Sequence, residues 1–258
     1  GWDDLRRRLD SSDRRCFAFF HPSLVDEPLI FVEVALAGAV ASSIQDVLTE
    51  EAKPAGAAVQ PTTAVFYSIS NCQEGLKGIS FGNFLIKQVV EELARDLPSL
   101  KTFVTLSPVP GFARWLARIS AAGGDLVGES DRVALQLLQD PGWIEDLEDD
   151  SDLKRALLPL AAHYFLQART RSGQPVDPVA RFHLGNGARL ERVNWLGDIS
   201  RNGLAQSHGL MVNYLYDPRE IERNHEAFAN GGAIAASRAV RGLLKEKGKT
   251  AAAATEAT

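Results

Sequence analysis

The sequence predicts an α/β domain built around a β-α-β unit, with an all-helical stretch over residues 112–172. Three observations lead there. Apolar, β-branched segments recur at residues 29–36, 62–70 and 101–106. A glycine-bearing turn and an amphipathic helix separate the last two, which makes a β-α-β unit. Residues 112–172 then carry helical patterning throughout.

Composition bounds the rest. A chain of 258 residues is one large domain or two small ones, and 45% hydrophobic with 24% charged residues suits a soluble protein with a sizeable core. The net charge of -5 argues against nucleic acid as a partner, so a phosphate-bearing ligand would need local donors. Two cysteines, Cys16 and Cys72, are too few for a metal cluster or a disulfide framework. They fit a reducing, cytoplasmic setting with both thiols buried or idle. No apolar run approaches the ~18 residues of a membrane helix, and Glu33 interrupts the most apolar segment, so no membrane partner is expected. No signal peptide is recognisable at the start.

Taken in order, residues 2–15 are charged and helical in character, the end of a longer helix or linker, which Pro22 stops. Residues 29–36 read as a strand, 42–51 as a short helix, 54–61 as a loop and 62–70 as a second strand. The turn at 73–82 holds Gly75, Gly78 and Gly82. In the helix that follows, Phe81, Leu85, Val89 and Leu93 recur every four residues while Lys87, Glu91, Glu92 and Arg95 take the wet side; Pro98 closes it. Residues 101–106 form the third strand. Ser151 or Asp152 caps a helix from 153 to 168, and Asp177 followed by Pro178 starts another to Leu184. Residues 189–195 and 210–216 alternate as strands. Asp217-Pro218-Arg219-Glu220 resembles a capping-box start, and Gly231-Gly232 precedes a last helix to about Lys247. The alanine-rich end reads as a disordered tail over 248–258.

Four features could carry chemistry. A β-α junction offers free backbone N–H groups and the positive end of a helix dipole, and glycines let a diphosphate approach closely. Lys77 adds a cation there. The same glycines equally suit a tight turn with close packing, and their spacing matches neither a Rossmann nor a P-loop pattern. Ser107 ends an apolar strand in Leu106-Ser107-Pro108-Val109-Pro110-Gly111-Phe112, where two prolines stiffen the backbone. A turn that caps the next helix explains that string as well, and no G-x-S-x-G elbow surrounds it. Of five histidines, His163 lies mid-helix among apolar neighbours, and His21 and His225 sit in polar surroundings. His183 and His208 each flank a turn, where either packing or proton delivery near neutral pH would place them. No pair has H-E-x-x-H spacing, which disfavours zinc. On these residues alone the reading stops at a soluble α/β domain with a candidate phosphate loop.

Longer strings carry it further. Phe66-Tyr67-Ser68-Ile69-Ser70, Gln73 to Gly78, Gly82 to Lys87, Leu106 to Phe112, Phe182-His183-Leu184-Gly185-Asn186-Gly187, Asn194-Trp195, Asp198 and Gly209 to Tyr216 together resemble the catalytic domain of malonyl-CoA decarboxylase, in order, from about Phe17 to Tyr216. The resemblance implies an α+β fold, a GNAT-like mixed β-sheet flanked by helices with a helical insertion around residues 112–172, and decarboxylation of malonyl-CoA to acetyl-CoA in fatty acid metabolism, without metal, biotin or other cofactor. It implies Ser107, His183 and Tyr216 as catalytic residues. It also implies a coenzyme A site lined by Lys77, Gly78, Ile79, Ser80, Phe81, Gly82 and Asn83. Some relatives carry glutamate where this chain has Ser80. By the same resemblance, residues 1–16 are the end of a linker from an N-terminal helical domain used in oligomerisation, so a homo-oligomer is admitted, and 17–247 are the catalytic domain. No C-terminal Ser-Lys-Leu signal is present. A GNAT-type acyltransferase and a non-catalytic acyl-CoA-binding protein are the alternatives.

Overall fold

Side chains alternate along the central strands, and that alternation builds two cores on opposite faces of one sheet. In the computed structural model, which describes residues 13–49, 60–73, 82–145, 147 and 151–244, the strands are β1 (Arg14–His21), β2 (Leu24–Ala37), β3 (Thr63–Asn71), β4 (Thr102–Thr105), β5 (Ser107–Pro108), β6 (Arg189–Asn194) and β7 (Met211–Leu215). Their order is β1-β2-β3-β4-β7-β5, with β6 also on β7. Among the described strands only β3 and β4 run parallel. The mixed sheet and the β-α-β unit are therefore as expected.

The helices are α1 (Ile44–Leu48), α2 (Gly82–Asp96), α3 (Phe112–Ala121), α4 (Glu129–Leu135), α5 (Asp152–Leu166), α6 (Pro178–Gly185), α7 (Arg201–Ser207) and α8 (Ile221–Gly231), with a 3-10 turn at Gln136–Gln139. Residues 238–244 begin a further helix. On the larger face, Val32 and Val34 of β2, Phe66, Phe103, Val212 and Tyr214 meet Ile86, Val89, Val90 and Leu93 of α2 and the buried side of α5. Burying each such side chain contributes roughly 1.5–3 kcal/mol. On the smaller face, Val65, Val104, Leu106 and Met211 pack beneath α1. There Arg192 donates to Asn194 and Asn213 and to the Val40 and Ala41 carbonyls, which ties β6 and β7 to the loop before α1.

Several boundaries differ from the sequence reading. Residues 14–16 belong to strand β1, not to a helix or linker end; Cys16, Phe17, Phe19 and Phe20 pair with β2. Strand β2 starts before Pro28, because the proline sits where the β1–β2 register slips and no ladder donor is needed. The helical insertion ends at Leu166, since Thr170 to Gln174 form a tight turn bridged by Arg169 and Pro175. Helix α8 starts at Ile221, after a turn at Asp217, with Glu220 rather than Asp217 at its N-cap position. Helix α7, capped by the Ser200 hydroxyl, was not expected. Cys72 is exposed and Cys16 half-buried, so neither is a core thiol; both are free. The tail over 248–258 lies outside the described residues.

Candidate active site

Ser107 owes its place to an interruption in the β4–β7 ladder. Val104 faces Leu215 and Ser107 faces Val212 in one register, yet regular pairing breaks between them. The Tyr214 N–H donates instead to Thr105 Oγ1 at 3.2 Å, and the Thr105 carbonyl accepts from Asn213 Nδ2 at 2.8 Å. Leu106 N–H turns the other way, to the Phe66 carbonyl of β3. Alternation places Thr105 and Ser107 on the larger-core face. Just here β3 and β4 part: parallel pairing ends at Phe66 and Thr105, while β3 continues to Asn71. A crevice beyond the carboxyl ends of parallel strands is where open sheets admit ligands.

His183 comes from the last turn of α6, a helix built as its sequence suggests. The Asp177 carboxylate caps it by accepting from Ala180 N–H at 2.7 Å, and Pro178 opens the first turn. Asp177 also accepts from the Tyr164 hydroxyl at 3.2 Å. Burial outweighs both bonds and holds the Asp177 carboxyl above the usual range. The helix packs against α2 and α8 and carries His183 over the end of β7.

There a continuous buried chain forms. Ser107 Oγ donates to Thr105 Oγ1 at 2.9 Å and lies 3.1 Å from His183 Nε2; His183 Nδ1 lies 2.8 Å from the Tyr216 hydroxyl. Ser107, His183 and Tyr216 are 5%, 3% and 1% exposed. The imidazole stacks on Tyr214 with centroids 4.5 Å apart, and Phe182 meets it edge-on. Desolvation pulls the His183 pKa from 6.5 down to about 3. A helix C-terminus favours a cation by about 0.3–1 kcal/mol, less than tenfold in protonation. Burial wins, and the ring is neutral. Burial likewise raises the Tyr214 and Tyr216 phenols well above their ordinary value, so both stay protonated.

Glycines beside both strings serve packing. A Cβ at Gly111 would meet the Tyr164 hydroxyl at 2.6 Å, and one at Gly187, where φ is +77°, would strike the Ile221 carbonyl. His208 is a left-handed cap residue at the end of α7 with its ring against Phe112. His163 is half-buried and stacks on Trp115; His21 is exposed, and His225 bonds the Gly185 carbonyl. Of the expected coenzyme A loop, Lys77, Gly78, Ile79, Ser80 and Phe81 lie outside the described residues, and Gly82 and Asn83 open α2. Among the described residues no three His, Cys, Asp or Glu side chains gather as metal ligands. No described helix is long and apolar enough to cross a membrane.

The family model for the malonyl-CoA decarboxylase C-terminal domain matches residues 1–254. The chain belongs to the malonyl-CoA decarboxylase family. The mitochondrial malonyl-CoA decarboxylase of Anser anser anser is 38% identical over 265 residues, covering 95% of this chain and 52% of its own length. That of Mus musculus is 36% identical over 274 residues, covering 95% and 54%. Among solved structures, malonyl-CoA decarboxylase from Rhodopseudomonas palustris superposes with a TM-score of 0.88 at 61% identity, over 94% of this chain and 56% of that one. The enzyme from Agrobacterium vitis gives 0.88 at 62%, over 95% and 60%. The chain spans about half the length of the curated relatives it matches.

For this member of the malonyl-CoA decarboxylase family the structure adds residues that sequence reasoning passed over. Thr105 and Tyr214 looked like ordinary strand positions. Asn186, in the His183 string, is buried close enough to the Tyr216 hydroxyl to offset part of the burial that raises that phenol, though no well-aligned hydrogen bond joins them; the Tyr214 hydroxyl is buried without a partner among the described residues. Each unpaired buried group costs roughly 1–3 kcal/mol. The only sequence signal for Asn186 was its place between Gly185 and Gly187.

Proposed function

We propose that this chain decarboxylates malonyl-CoA to acetyl-CoA and CO2 through a thioester enolate. The observation that carries the reading is the buried Ser107–His183–Tyr216 chain at the point where β3 and β4 part. Family membership and the similarity to named malonyl-CoA decarboxylases support it. The family resemblance assigns the coenzyme A diphosphate to residues 77–83, of which Gly82 and Asn83 open α2, and a helix N-terminus favours an anion. Ser80 stands there in place of the glutamate expected in some relatives.

In this mechanism Ser107 positions the malonyl group. The bond from C2 to the carboxylate breaks, CO2 leaves, and the electron pair passes into the thioester enolate. His183 delivers a proton from Nε2 to C2, and solvent restores the ring's proton. A neutral imidazole can act as such a donor in a dry site, and preorganised donors stabilise the oxyanion. Tyr216 supports His183 through Nδ1. The reading requires neither metal nor biotin. It places 17–247 as the catalytic domain, 248–258 as a tail and fatty acid metabolism as the setting, with self-association admitted. Two free cysteines suit the cytoplasm or another reducing compartment; the cited vertebrate relatives are named mitochondrial.

Incubation of the chain with malonyl-CoA and no amine acceptor tests this. Stoichiometric acetyl-CoA and CO2 are expected. Unchanged malonyl-CoA that turns over only when an amine is added would point to an acyltransferase. Binding without turnover in either case would point to an acyl-CoA-binding protein.

A further inference from the structure

We propose that Thr105 is a positioning residue that sets the direction of the hydrogen-bond chain, taking the Ser107 proton so that Ser107 accepts from His183 Nε2–H and cannot be deprotonated by the ring. The inference rests on the proposed reaction for its kinetic meaning, though not for its geometry.

The wiring follows from which group donates at each contact. The Tyr214 backbone N–H donates to Thr105 Oγ1 at 3.2 Å, and Ser107 Oγ donates to the same oxygen at 2.9 Å. A serine hydroxyl has one proton. With that proton on Thr105, the 3.1 Å contact between Ser107 Oγ and His183 Nε2 needs its proton from the ring. A neutral ring has one N–H, here on Nε2, so Nδ1 accepts from the Tyr216 hydroxyl at 2.8 Å. The chain then runs one way: Tyr216 O–H to His183, His183 N–H to Ser107, Ser107 O–H to Thr105. Burial of His183, which keeps the ring neutral, supports this order.

The direction has a chemical consequence. In a hydrolase dyad the serine proton points at the imidazole, which removes it and creates a nucleophile. Such a serine would attack the thioester and release malonate and coenzyme A. Here the proton points away and the acidic N–H of the dyad faces the serine oxygen. A malonyl group seated on Ser107 therefore meets a proton donor, and the product is the protonated enolate.

The test is the position of the ring proton. With 15N-histidine labelling, and the His183 signal assigned by its loss in His183→Asn, substrate-free wild type at neutral pH should show Nε2–H and a bare Nδ1. In Thr105→Val the Ser107 hydroxyl has only Nε2 left to bond, so the ring proton should move to Nδ1. The value for kcat should fall about tenfold with KM within about twofold, and Thr105→Ser should restore both tautomer and rate. If Thr105→Val does not fold, Thr105→Cys keeps the volume with a weak sulfur acceptor and makes the same comparison. A wild-type ring with its proton on Nδ1 overturns the proposal. So does a Thr105 variant that loses rate while its tautomer stays on Nε2. Because the tautomer is read without substrate, absence of decarboxylation would count against the proposed reaction and leave the wiring decided.

Discussion

His183 is the residue whose environment departs furthest from water, and that departure has a thermodynamic signature. Its folded pKa of about 3 lies below its ordinary 6.5. Between those values the unfolded chain binds a proton that the folded chain does not, so stability falls as pH drops from 6.5 toward 3. Above 6.5 the group contributes no pH dependence. His183→Asn should therefore show a flatter stability–pH curve than wild type between about pH 6.5 and 3. Denaturant melts at several pH values check this, and parallel curves would contradict a buried neutral ring. The residues of this chain were unequally legible. Ser107 and His183 stood in unusual strings, but the contact between them joins residues 76 apart, and only the family resemblance brought them together beforehand. Thr105 had no signal. Its role comes from Tyr214, 109 residues away, through a ladder interruption that no local pattern encodes.

At the level of elements, the two motif strings are held by ordinary turn and cap chemistry. Gly187 combines a positive φ with a backbone carbonyl in the space a Cβ would take. Gly187→Ala should lower unfolding stability by more than about 1 kcal/mol, measured by chemical denaturation; a neutral effect would show that the α6–α8 contact yields freely. Asp177→Ala removes the cap of α6 and leaves the buried Tyr164 hydroxyl unpaired. A loss of about 2 kcal/mol or more is expected in the same assay. Both caps, Asp177 and Ser151, were readable because Ser and Asp before an apolar run have a specific physical role. Strand β1 was not. Its charged start, Arg14 and Arg15, suggested a helix, whereas pairing with β2 and aromatic packing decide the outcome. Helix α7 was passed over because Gly203 interrupts its pattern; that glycine lies where a Cβ would collide with Asp198.

Across the whole molecule, the sheet serves as a frame that brings the end of β4, the end of β7 and α6 to one place. The β-α-β unit and the helical insertion were visible in the sequence as periodicity. The strand order was not, because β7 inserts beside β4 from more than a hundred residues away. If coenzyme A binds at the start of α2, saturating ligand should stabilise the entire fold. At 100 times its Kd the gain is about 2.7 kcal/mol, several degrees in Tm for a chain of this size. Pantetheine, which lacks the diphosphate, should give a smaller shift at equal concentration. Equal shifts would remove the diphosphate from the binding account.

The steady-state rate of malonyl-CoA decarboxylation by Ser107→Ala, His183→Asn and the double variant bears most directly on the buried dyad as the chemical centre. Each single change should cost about a hundredfold or more in kcat, and the double variant should lose little beyond the worse single one, because the two side chains act as a unit. Losses under about tenfold, roughly 1.4 kcal/mol of barrier, or two losses that simply multiply, would contradict it.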